Sequence, residues 1–269
     1  MDMADPVQIS VSAEGVAEVI LNRPEKKNAW TLEMFDVLAE AAQSLSQQKG
    51  LRAVILSGAG GCFSAGLDLS VMQSFAADLA GVKAQMAEPD AQGANRFQRP
   101  VTRWAQLPVP VIAAIEGVAF GAGMQLALGA DFRIAAPDAR LSIMEAKWGL
   151  IPDMGISQSL PKLVSADIAK ELMMTGRVLE AGEAQKLGLI TRVAETPLRA
   201  ARDMAAEFTL RSPEALAASK ALVEQAWTMP PGDGLALEAE LQAEIIGGPA
   251  QMEMVMANLQ KRAPNFSQG

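Results

Sequence analysis

The chain has 269 residues, 50% hydrophobic and 20% charged: a length for one or two domains and a composition that folds rather than stays disordered. Its 31 acidic against 23 basic residues leave a net charge of −8, the wrong sign for a surface that tracks a phosphate backbone, so nucleic acid is excluded as the main partner. With no histidine, no tyrosine and one cysteine (Cys62), imidazole catalysis, His or multi-thiolate metal sites and an internal disulfide are all ruled out, leaving carboxylates, lysines or water for proton chemistry.

The opening MDMADP is acidic and lacks a basic segment followed by an apolar one, so no secretory leader is expected and the expected location is cytoplasmic. Residues 7–12 (VQISVS) and 16–21 (VAEVIL) alternate in polarity about Ala13-Glu14-Gly15, which predicts a β-hairpin. Thr31 can cap a helix in which Phe35, Leu38, Ala42 and Leu45 share one stripe, ending before Gly50. The run AVIL (53–56) reads as a strand covered on both faces. Residues 76–95, rich in Ala, Gly and polar side chains, are the least patterned stretch and are expected to form a mobile loop.

A helix near 94–106 follows, then strand VIAAI (111–115), a helix near 121–130 and strands FRIAA (132–136) and LSI (141–143). The most apolar stretch, Trp104 to Ala130, is interrupted by Pro108, Pro110 and Glu116, so it is read as core elements and no membrane span is expected. From Thr196 the pattern is helical only, punctuated by Pro213, Pro230-Pro231 and Gly247-Gly248-Pro249. The layout is α/β, divided between residues 1–195 and a helical region 196–269.

Two glycine-rich turns carry the chemistry. One follows AVIL in SGAGGCFSAGLDL; the other follows VIAAI in EGVAFGAGMQLALGAD. Neither has a dinucleotide fingerprint with its later acidic residue, nor the Gly-Lys-Ser/Thr of a P-loop. Each can present unpaired backbone N–H groups at the start of a helix, where a negative atom is favoured; each alone can equally be a packing turn.

The segments LNRPEKKNAW, FSAGLDL, EGVAFGAGMQLALGAD and EAKWGLIPDMG, in this order and spacing, resemble the crotonase family, the enoyl-CoA hydratase/isomerase superfamily, over nearly the whole chain. The resemblance implies a crotonase-like spiral of repeated ββα units with a C-terminal helical trimerisation region, assembling as a trimer or a dimer of trimers. It implies an acyl-CoA thioester substrate, with coenzyme A as part of the substrate and no metal or redox cofactor. It places an oxyanion hole at the N–H groups of Leu67 and Ala122. By the same resemblance Lys26, Lys27 and Ala29 of the RPEKKNA loop, with Ala65, Asp68 and Leu69, line the CoA site; Lys26 and Lys27 are as readily a solvated surface pair.

Hydratases of this family use two glutamates. One aligns with Glu145, whereas the other position holds Gln125, an amide that can orient water or substrate but cannot take a proton. Asp153, in GLIPDMG, is the replacement carboxylate, and the stretch from Glu145 to Gly155 resembles dienoyl-CoA isomerases, in which matching Glu and Asp residues pass protons. Simpler readings are an ion pair of Glu145 with Lys147 or Lys162, and Asp153 as cap of a helix starting near Gly155. Glu116 is expected to make an ion pair or a loop hydrogen bond, and Trp148 and Met154 to be pocket wall or core. Three functions follow: proton and double-bond shift in an enoyl- or dienoyl-CoA, hydration of a 2-enoyl-CoA, and acyl-CoA binding with little catalysis.

Overall fold

The protein is described by a computed structural model over residues 5–266; the first four residues of the MDMADP reading lie outside the described residues. The predicted hairpin is β1 (Val7–Val11) and β2 (Val16–Leu21), antiparallel in the register Val7↔Leu21 to Val11↔Ala17. Helix α1 (Leu32–Ser46) starts where Thr31 Oγ1 accepts from Met34 N–H at 3.3 Å, and it buries Phe35, Leu38, Ala42 and Leu45 as the stripe predicts.

Strand β3 (Ala53–Gly58) is buried on both faces. After it come α2 (Leu69–Ala77), α3 (Leu79–Met86) and α4 (Arg99–Ala105), then β4 (Val111–Ile115), β5 (Val118–Phe120), α5 (Ala122–Leu128), β6 (Phe132–Ala135) and β7 (Arg140–Ser142). A short α6 (Ile156–Ser159) precedes α7 (Ala166–Thr175), β8 (Leu179–Glu180), α8 (Ala181–Lys186) and β9 (Arg192–Val193).

The strands form a six-stranded sheet, β1-β2-β3-β4-β6-β9, and a three-stranded sheet, β5-β7-β8. Beyond the first hairpin, the strand pairs of the larger sheet are parallel. The chain passes from β4 to β5 and from β6 to β7, so successive turns lay one strand in each sheet. This is the α/β spiral the resemblance implies, and it brings the segment after β3 beside the segment after β5.

Alternation along β3 and β4 explains their two-sided burial. Val54, Leu56, Val111, Ala113 and Ile115 face the main core, while Ala53, Ile55, Ile112 and Ala114 face a second cluster closed by Ala201 and Ala205 of α9 (Pro197–Thr209). Burying each such isoleucine contributes about 1.5–3 kcal/mol, so α9 is held as a layer on the sheet. Three more helices follow: α10 (Pro213–Ala226), α11 (Pro231–Ile245) and α12 (Pro249–Gln260). Each of α9 to α12 begins with proline, whose missing N–H is unneeded at the first helical position. Among the described residues no helix is long and apolar enough to cross a membrane.

The mobile loop expected over 76–95 is corrected: α2 and α3 run into and through it. Asp78 caps α3 by accepting from Gly81 N–H at 2.9 Å, yet α3 buries no residue, so it carries no apolar stripe for the sequence to display. The helix expected from 94 begins only at Arg99, because Asn95 Oδ1 accepts from the N–H groups of Phe97 and Gln98 and makes residues 95–98 a turn.

Candidate active site

The first glycine-rich turn is fastened on three sides. Ser64 pairs with Ala119 in a parallel bridge, its N–H donating to Val118 O at 2.9 Å and its O accepting from Phe120 N–H at 3.0 Å. The fully buried Ser64 hydroxyl donates to Asn28 O (2.8 Å) and accepts from Gly66 N–H (3.1 Å). On the other side, Trp30 N–H donates to Gly66 O (2.8 Å) and Asp68 N–H donates to Trp30 O (2.9 Å).

Because Gly66 O and Asp68 N–H both point at Trp30, the intervening Leu67 N–H points to the opposite side, where no described residue accepts from it. Leu67 lies before the helix rather than in it, since Asp68 is the cap of α2. In the second turn, Gly121 adopts φ 50°, ψ −118°, a conformation open to glycine, and donates to Ser142 O at 3.0 Å. This directs the chain into α5 with Ala122 first, and the Ala122 N–H has no acceptor among the described residues.

The two turns meet at Gly66. With φ +91°, a Cβ there would stand 2.7 Å from Phe120 O and 3.7 Å from Ala122 N, so the contact is backbone to backbone with no side chain between. The two free amides belong to one small region.

The carboxyls come from the strand beyond. Glu145 lies past the end of β7, on a 3-10 turn Glu145–Trp148. Its Oε1 would be 3.5 Å from a Cβ on Gly121, which seats the carboxyl against the backbone leading into Ala122. Gln125 Nε2 donates to Glu145 Oε1 at 2.7 Å, and Gln125 Oε1 accepts from Met154 N–H at 2.8 Å. Among the described residues, Glu145 Oε2 is buried without a partner.

Burial raises the Glu145 pKa above its ordinary value; the charge of Asp153 adds to this, while hydrogen bonds from its own backbone and from Gln125 act against it. Burial likewise raises Asp153, against a hydrogen bond from its own backbone. Asp153 does not cap α6, whose cap position is Gly155 with no side-chain bond. Glu145 makes no ion pair with Lys147 or Lys162; the latter pairs with Glu224. Both simpler readings of these carboxyls therefore give way.

Along the outer edge, Lys26 and Lys27 are exposed, and Ala65 N–H donates to Lys27 O at 2.8 Å, so residues 27–30 run beside residues 64–68. Ala29, Ala65 and Leu67 are half-buried on this edge, and Leu69 is exposed. The Asp68 carboxylate is occupied within the chain, accepting from Ser70 N–H (3.0 Å) and Ser70 Oγ (2.8 Å) and pairing with Arg23 (3.2 Å). These bonds, the Ser70 N–H first, hold its pKa low.

Met154 is buried and Trp148 is exposed. For Glu116 the loop contact is made by its backbone carbonyl, which accepts from Phe63 N–H at 2.8 Å.

Two positioning residues escape the sequence reading. Asn28, buried in the left-handed region at φ 52°, donates through Nδ2 to Ala59 O and Cys62 O and accepts through Oδ1 from Arg23 N–H. Ser64 ties Asn28 to Gly66 as described. The available signals were an Asn able to take the left-handed conformation and a small hydroxyl beside a glycine turn, both common in ordinary loops.

The fold and site define an α/β spiral in which two backbone N–H groups without an acceptor among the described residues lie on turns that meet at Gly66, with the half-buried Glu145 carboxyl against the second turn and Asp153 acting on it. Residues 12–269 match the family model described as Enoyl-CoA hydratase/isomerase, and the chain belongs to that family, a family of enzymes. It is 33% identical over 259 residues to the mitochondrial methylglutaconyl-CoA hydratase of Mus musculus, covering 94% of this chain and 79% of that one. The crystal structure of an enoyl-CoA hydratase from Bacillus anthracis matches with TM-score 0.88 at 29% identity, over 98% of this chain and 100% of the other. One from Polaromonas matches at TM-score 0.86 and 31% identity, over 96% and 98%.

Proposed function

We propose that the chain binds an acyl-CoA thioester with its carbonyl oxygen between the N–H groups of Leu67 and Ala122, and shifts a proton and double bond of an enoyl- or dienoyl-CoA using Glu145 and Asp153. The observation that carries this is the meeting at Gly66 of the turns that bear two amides without an acceptor among the described residues, with the Glu145 carboxyl against the second turn and Asp153 acting on Glu145. Removing a proton α to a thioester places negative charge on the carbonyl oxygen. Two fixed donors stabilise that enolate, and losing one costs about 2.7–4 kcal/mol of transition-state stabilisation.

The carboxyls divide the proton work. Burial raises both groups, and the charge of Asp153 adds to the rise at Glu145, so the pair can hold one proton between them: one carboxyl takes a proton from carbon while the other delivers one to the second carbon. The double bond moves, one proton leaves carbon and one arrives, and the proton gained by the accepting carboxyl must return to the donating one before the next turnover. Lys26 and Lys27, with the edge formed by Ala29, Ala65 and Leu69, would carry the CoA portion; Asp68 contributes through its backbone, its carboxylate being engaged by Ser70 and Arg23. The exposed apolar side chains Trp227, Leu235, Met252 and Leu259 on and beside α10, α11 and α12 support assembly as a trimer or dimer of trimers.

Hydration of a 2-enoyl-CoA is the second reading, favoured by the hydratase names of the relatives, with Glu145 as principal acid–base group. Incubation with a panel of enoyl- and dienoyl-CoA esters in deuterated water, read by mass and NMR, separates them. Isomerisation gives a shifted double bond with deuterium incorporation, whereas hydration adds one water. Asp153→Asn should lower isomerisation at least about tenfold with ester binding intact; unchanged turnover removes Asp153 from the mechanism. Tight binding with neither product nor α-proton exchange would instead mark an acyl-CoA-binding protein.

A further inference from the structure

Gln125 occupies the position between the two parts of the site. It stands one turn after Ala122 on α5, so the helix that presents the free amide also carries this side chain. The residue is 2% exposed, and both ends of its amide are engaged. Met154 N–H can only donate, so the amide oxygen must face it and the NH2 group must face Glu145. The oxygen that receives that NH2 group, Oε1, is engaged as an acceptor. A protonated Glu145 that keeps Oε1 as this acceptor carries its hydrogen on Oε2, the atom that is buried without a partner among the described residues.

Among the described charged groups near this turn, Asp153 acts on Glu145 from the loop before α6. Lys147 on the same turn, Arg140 of β7, and Asp167, Lys170 and Glu171 of α7 are exposed. Arg99 and Arg103 lie on α4, whose Thr102 approaches Gly155; Arg103 pairs with Asp90.

We infer that Gln125 is a positioning residue that occupies Oε1 of Glu145 and thereby makes Oε2 the oxygen that exchanges the proton with substrate, while the same amide ties the Asp153 loop to α5 through Met154. This rests on the reading of Glu145 as the acid–base group.

Gln125→Glu is the informative change. A carboxylate there still accepts from Met154 N–H but, when ionised, offers Glu145 a second charge in place of a donor. The test follows α-proton exchange of an acyl-CoA substrate in deuterated water across pH. The Q125E enzyme should show the ionisation assigned to Glu145 moved to higher pH, with KM within about twofold. Should Q125E not fold by circular dichroism, Gln125→Met, which removes the donor without adding charge, should also move that ionisation upward. A pH profile superimposable on wild type, in whichever variant folds, overturns the inference. Glu145→Gln is the control: loss of exchange there with an unmoved Q125E profile rejects the role of Gln125 alone, whereas wild-type exchange in E145Q rejects the acid–base reading of Glu145 and this inference with it.

Discussion

Asp131 and Glu145 are both carboxyls drawn out of water, and the chain treats them differently. Asp131, at the start of β6, faces Lys220 of α10 at 2.8 Å and accepts from Val111 N–H at 2.7 Å; the same ammonium also donates to Val109 O at 3.0 Å. Burial raises Asp131, and Lys220 works against that. Among the described residues Glu145 receives no cation, only the neutral donors of its own backbone and of Gln125, and a second carboxyl whose charge pushes its pKa the same way burial does. A carboxyl that fastens a helix is given a counter-charge. Glu145, proposed above to handle a proton, is left without a counter-charge, so that burial and Asp153 are free to raise its pKa.

This contrast can be broken at either end. The largest effect is expected at the site: Glu145→Gln should lower α-proton exchange about 10²- to 10⁴-fold with a melting temperature at or above that of wild type near neutral pH, since it removes a group whose charged form burial disfavours. A large loss of stability would show that Glu145 fastens the fold as Asp131 does. Lys220→Met should do the opposite, costing about 3–5 kcal/mol in denaturant unfolding by leaving Asp131 buried and unpaired, with kcat per folded enzyme unchanged. The double change with Asp131→Leu should recover much of that loss, and failure to recover would mean that Lys220 acts through its bonds to the Trp104 and Val109 carbonyls.

The smallest effect is on pH dependence. Because burial holds Glu145 and Asp153 above their ordinary pKa values, the folded chain binds their protons more tightly than the unfolded chain. From the ordinary carboxylate pKa up through the raised one, the native state therefore holds more protons, and this contribution to stability is lost as pH rises. Urea midpoints of wild type should fall more, or rise less, over that range than those of an E145Q/D153N variant; parallel curves would contradict the raised values.

The sequence alone determined the local elements with period and cap. The hairpin about Ala13-Glu14-Gly15, the Thr31 cap with its stripe, and the doubly covered β3 follow from side chains a few residues apart. The family motifs also pointed to the two amides that the structure leaves without an acceptor among the described residues, because a glycine-rich turn needs glycine for its own backbone. Helix α3 was hidden because it buries nothing, and its cap at Asp78 resembles any loop aspartate.

Only the tertiary structure decided what lies across the chain. Asn28 holding residues 59–62, Ser64 joining the two turns, and Gln125 linking Glu145 to Met154 each span 20 to 36 residues or connect separate loops, distances at which no periodic pattern operates. The sequence likewise shows that Glu145 and Asp153 are carboxylates. Their raised pKa values come from the water that the surrounding packing removes, a property of the assembled neighbourhood and not of either residue.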